Sequence, residues 1–155
     1  MENPSKAFAG ASREAGSPDH FSQLPDDWRL ARAAHEDLRR MGMPRVNVLL
    51  VGVGGLTRNV VGMLLRDRDE PIASWSPGER LLLPPVARGG TVVLHEVGTL
   101  SHDDQLHLLD WLEHAVARTQ VISTTSRPLL AQVQSGAFIE TLFYRLNTIC
   151  LDVTP

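Results

Sequence analysis

The segment Gly52-Val-Gly-Gly-Leu-Thr-Arg-Asn59 holds residue types that can cradle a phosphate. A glycine-rich turn between a strand and a helix binds anions because backbone N–H groups and the positive end of the helix converge there. The full nucleotide signature, GxxxxGK followed by Ser or Thr, adds a lysine for the β- and γ-phosphates and a hydroxyl for Mg2+. Gly52 supplies the first glycine, and Gly54 and Gly55 lie inside the turn. Thr57 takes the place of the second glycine and Arg58 that of the lysine, with Asn59 following. A β-branched threonine enters a positive-φ loop only at a cost. Arg58 keeps the charge, but its planar fork is bulkier than an ammonium. Taken alone, the segment reads equally well as a plain strand-to-helix turn.

Other groups with chemical potential carry less. His95 beside Glu96 could form an acid/base pair, yet no nucleophile accompanies it. His95, His102, His107 and His114 invite a metal reading. However, His107 and His114 are two helical turns apart and His102 lies near the helix cap, so they do not converge on one tetrahedron. No metal is expected. Cys150 is the single cysteine and lies in the apolar run from Thr148 to Val153, where a buried, inert thiol is expected.

The elements that must hold these residues alternate between strand and helix. Residues Met1 to Pro25 mix Gly, Ser, Pro, Ala and charge without periodicity and read as a disordered arm. Asp26 or Asp27 caps a helix striped by Trp28, Ala31, Ala34, Leu38 and Met41. Strands are expected over 46–51, 71–75, 91–94, 120–125 and 147–153. Helices are expected over 59–66, from Ser101 onward with Leu108, Leu109, Leu112, Ala115 and Val116 inward, from Ser126 to Gly136, and over 138–146. Ser101-His-Asp-Asp104 has capping-box spacing. The mixed-charge run Arg66 to Glu70 reads as a solvated helix end, and Trp28, Trp75 and Trp111 as packing residues. This alternation predicts a parallel sheet of about five strands covered on both faces, an α/β fold in three layers. Residues 26–155 form one domain, with its core at 46–153.

Composition narrows the function. The 155 residues are 43% hydrophobic and 21% charged, ordinary for a globular domain. A net charge of -3 gives no electrostatic footprint for a phosphate backbone, so direct DNA binding is not expected. No run reaches the roughly 20 apolar residues that span a bilayer. With no export signal visible at the N-terminus, a cytoplasmic location is expected.

Two further segments give the turn a context. Gly90-Thr-Val-Val-Leu-His-Glu-Val97 resembles the Gly-Thr-Leu-Phe-Leu-Asp-Glu pattern of sigma-54-dependent transcription activators. Gly136-Ala-Phe-Ile-Glu-Thr-Leu-Phe-Tyr-Arg-Leu-Asn147 resembles their distinctive Gly-x-Phe-Arg-x-Asp-Leu-Tyr-Tyr-Arg-Leu-Asn segment. Gln120 to Ser126 sits where that family has its sensor strand. Order and spacing match from about Val46 to Val153, so the resemblance to the activators' AAA+ ATPase core covers most of the chain.

That resemblance implies a P-loop-type core, and it also marks what has changed. Arg58 stands at the phosphate lysine, and His95 at the acid that helps hold Mg2+. An imidazole is a poor substitute for a carboxylate toward a hard cation. Glu96 remains at the glutamate that orients water, while Ser126 replaces the sensor asparagine. Of the family's two trans-acting arginines, one position is Ile139 and the other is kept as Arg145. Residues 60–89 leave no room for the GAFTGA loop that engages sigma-54, and the helical lid is expected to be missing. The expectation is a pseudo-ATPase with no cofactor, Glu96 and Arg145 being vestigial. It would act through protein partners, either itself or an active homologue, in bacterial transcription regulation or signalling. The alternative is a switch that binds ATP or ADP at Gly52 to Asn59 with little hydrolysis.

Overall fold

Val48 to Val51 are buried in succession, as expected of a strand covered on both faces rather than one. They form β1 (Val48–Val51) in a computed structural model that describes residues 46–153 except 67 and 69, together with Glu36 and Arg40. Next come α1 (Gly54–Leu65), β2 (Ile72–Trp75), β3 (Gly90–Leu94), a 3-10 turn at Val97–Thr99 and α2 (His102–His114). The chain continues through β4 (Thr119–Thr125), α3 (Leu130–Gln134), α4 (Glu140–Leu146) and β5 (Ile149–Asp152). The five strands pair in the order β2-β3-β4-β1-β5, and every pairing is parallel. Val48 stands opposite Ile122 on one side and Ile149 on the other.

Because side chains alternate across a strand, β1 feeds two cores. Leu49 and Val51 join Leu108 and Trp111 of α2 and Leu142 and Leu146 of α4. Val48 and Leu50 join Val60 and Val61 of α1, with Ile122 and Leu151. The result is the expected three-layer α/β architecture. The first residues beyond β1, β3 and β4 share the carboxyl edge of the sheet, where ligands sit in folds of this kind.

Several local expectations need correction. α1 begins at Gly54 rather than Asn59, so the glycine-rich turn is largely the first turn of a helix. Thr57, Val60 and Val61 are its buried residues, and their spacing extends the helical stripe back toward Gly54. The helix expected from Ser126 to Gly136 is the short α3, and α4 starts at Glu140. Cys150 is exposed, not buried, because β5 pairs only with β1 and forms an edge of the sheet. The charge run after α1 is not merely solvated, since the Arg68 side chain is only 8% exposed. Its guanidinium donates to the Leu64 carbonyl, the Glu70 carboxylate and the Thr91 hydroxyl, closing the end of α1 onto β3. The arm at 1–25 and the helix expected at 26–41 lie outside the described residues, save Glu36 and Arg40, both helical.

The remaining elements follow the sequence. The Ser101 hydroxyl accepts the Asp104 amide at 3.1 Å and starts α2, whose buried face is Gln105, Leu108 and Trp111. Trp75 and Trp111 are both buried, their indoles donating to the Glu79 and Pro84 carbonyls. Trp28 lies outside the described residues.

Candidate functional site

Gly52 follows β1 directly, and its amide donates to the Thr125 carbonyl at 2.9 Å. A Cβ there would lie 2.6 Å from Val153 Cγ2, so close approach of the chain after β5 accounts for this glycine. Gly54 and Gly55 have open space around them and no positive φ. Val53 is the extended residue before α1, and no side chain caps the helix. The Leu56 and Thr57 amides both donate to the Val53 carbonyl, at 3.1 and 3.2 Å. The Thr57 hydroxyl donates to the Gly54 carbonyl at 3.2 Å and reaches that of Val53 at 3.4 Å. Thr57 is buried, whereas Arg58 and Asn59 are exposed.

At the end of β3, His95 continues the sheet by donating its amide to the Trp75 carbonyl. Glu96 then turns left-handed, with φ 49 and ψ 56. Such a conformation in a residue other than glycine costs about 1–3 kcal/mol and persists only where the surroundings impose it. Here the Glu96 amide donates to Thr124 Oγ1 at 3.2 Å. Its carbonyl accepts from the amide and hydroxyl of Thr99. The carboxylate accepts from the Ser126 amide and hydroxyl, each at 3.1 Å. Two positions singled out in the sequence are thus brought into contact across the ends of β3 and β4.

The segment carrying Arg145 is held at both ends by carboxamides that sequence reasoning missed. Gln105 is 1% exposed. Its Nε2 donates to the Leu100 and Ala137 carbonyls, and its Oε1 accepts the Ile139 amide at 2.9 Å. At the far end, Asn47 donates to the Arg145 carbonyl at 2.8 Å and accepts the Val121 amide. Between these clamps Leu142 and Leu146 are buried, while Tyr144 and Arg145 face solvent. Ile139 is half-buried against the core. A signal for Gln105 existed, namely a polar residue three positions before Leu108 on the apolar stripe.

His102, His107 and His114 are exposed on α2, and no group of three or more metal-ligating side chains occurs among the described residues. His114 Nδ1 lies 2.8 Å from the Asp110 carbonyl. That hydrogen bond, helped by the Asp110 carboxylate, raises the imidazole above its ordinary pKa. A raised value means that the interaction is present below the unfolded pKa and lost as pH rises through the folded one. An NMR titration should place His114 above a model histidine. Asp110→Asn should lower the value without abolishing the shift, because the carbonyl remains. For Cys150, partial desolvation and Asp152 push the thiol up, which disfavours a nucleophilic thiolate.

Comparison with known proteins turns this geometry into an assignment. Residues 31–155 match the model of the sigma-54 interaction domain. The chain belongs to that family. The transcriptional regulatory protein TyrR of Enterobacter agglomerans is 40% identical over 80 residues, covering 44% of this chain and 15% of its own. The C4-dicarboxylate transport regulatory protein DctD of Pseudomonas aeruginosa is 28% identical over 137 residues, covering 81% of this chain and 29% of its own. NtrX of Brucella abortus in complex with ATP superposes with a TM-score of 0.62 at 17% identity, over 83% of this chain and 35% of that one. This sigma-54 interaction domain therefore has the AAA+-type core of such regulators and spans less than a third of the length of these two relatives. No helix among its described residues is long and apolar enough to cross a membrane.

Proposed function

We propose that this sigma-54 interaction domain is a pseudo-ATPase that works through protein–protein contacts in bacterial transcription regulation or signalling. What supports the reading is that the five-stranded α/β core is kept while the family resemblance puts Arg58, His95 and Ile139 at the phosphate, cation and trans-arginine positions. An arginine finger alone can be worth about 10³-fold or more in turnover. Glu96 and Ser126 fit the same reading, since each satisfies the other and neither needs a water or a phosphate. Residues 66–89 join α1 to β3 through β2 without a GAFTGA loop, so the partner is expected to be another AAA+-type chain rather than sigma-54 itself.

Arg145 is the residue expected to carry the contact. It is exposed, and its side chain has no hydrogen bond or ion pair among the described residues, although the clamped α4 fixes its backbone. Solution mass, measured alone and with a catalytically active homologue, should show assembly in at least one case. Arg145→Ala should weaken that assembly without altering the melt. Strict monomers in both samples would contradict the proposal.

A further inference from the structure

ATP or ADP is the group this fold family implies, and the turn after β1 is where its phosphates need unpaired amides. The residues present do not fit that requirement. A phosphate nest depends on successive backbone N–H groups pointing at the anion. Here the Leu56 and Thr57 amides are already donated to the Val53 carbonyl. The Thr57 hydroxyl fastens the same turn by donating to the Gly54 carbonyl, and the residue is only 3% exposed. Gly52 is held against Val153 on one side and the Thr125 carbonyl on the other. Across the carboxyl edge of the sheet, the Glu96 carboxylate is occupied by Ser126. What remains at Gly54 and Gly55 is the end of an ordinary helix, without the loop that would wrap two or three phosphates.

We infer that the winding of residues 54–57 into α1 excludes nucleoside di- and triphosphates from this site, and that Thr57 is the side chain that keeps the turn wound. The inference deepens the pseudo-ATPase reading and rests on it, moving from lost turnover to lost binding. In physical terms, the binding-competent open turn is a minor state, and apparent affinity falls in proportion to its population. Thr57→Gly removes the hydroxyl that fastens the wound turn and destabilises the helix locally. Arg58→Lys restores the compact ammonium that reaches phosphate oxygens.

The test uses fluorescent ATP and ADP analogues with Mg2+ on the full chain. The natural protein should show no saturable binding, and its Leu56 and Thr57 amides should be protected in hydrogen exchange. The double variant Thr57→Gly with Arg58→Lys should gain about tenfold or more in affinity. Adding Gly55→Glu, where the helix leaves open space for a side chain, should abolish that gain. Saturable micromolar binding by the natural chain, weakened by Arg58→Ala and Gly55→Glu, would overturn the inference. So would fast exchange at both amides, or a double variant that melts normally and gains nothing. Binding without phosphate release would sink the exclusion and leave the pseudo-ATPase reading standing, whereas binding with phosphate release would sink both.

Discussion

Gly90→Ala should lower stability by about 2–6 kcal/mol, the sum of a strained backbone and an overpacked contact. Gly90 has φ +107, a region that side chains rarely enter, and an added Cβ would lie 2.5 Å from the Pro71 carbonyl oxygen. That oxygen cannot simply retreat, because it accepts the Thr91 amide at 3.1 Å at the start of the β2–β3 ladder. The Thr91 hydroxyl in turn donates to Glu70 and accepts from Arg68. The Gly-Thr pair at the head of β3 thus joins three elements, a packing role sufficient to explain both residues without any ligand. Urea denaturation should show a lower midpoint with an unchanged slope. A loss below about 0.5 kcal/mol, the range of an ordinary surface substitution, would mean the contact is not as tight as described.

Gln105→Leu should cost about 3–5 kcal/mol, because each buried polar group left without its partner costs about 1–3 kcal/mol. The leucine is close in size but strands the Leu100 and Ala137 carbonyls and the Ile139 amide. The effect has a local signature beyond the global melt. Amides of α4 should exchange faster, because the entry to that helix is no longer fixed, and assembly through Arg145 should weaken in step. A destabilised variant in which α4 stays fully protected would show that Gln105 serves only the core.

The sheet was legible because β1 and the Val92–Leu94 part of β3 are apolar runs, which a strand covered on both faces requires, whereas β4 is just as buried with only Val121 and Ile122 apolar. The segments at Gly90 and Gly136 were legible by their resemblance to the family's motifs, and the structure adds that both glycines have positive φ, a conformation glycine enters freely. The glycine-rich turn was not, since glycine accepts loop and helix alike. What settles its conformation is the burial of Thr57, Val60 and Val61 against the sheet, a tertiary fact. The exposure of Cys150 depends on β5 being an edge strand, which strand order decides and local sequence does not. Arg68 looked like one charge in a solvated run because its partner Thr91 lies 23 residues further along the chain. The pairing of Glu96 with Ser126 spans 30 residues and rests on a left-handed backbone that no residue type announces. In each miss the deciding contact is remote in sequence, whereas each success rests on a pattern contained within one element.

The central claim is that the triphosphate chemistry is gone while the architecture remains. Phosphate release from ATP with Mg2+ tests it most directly, with Glu96→Gln measured in parallel. The account predicts a rate indistinguishable from background in both proteins. A rate well above background in the natural chain, lost on changing Glu96, would contradict it.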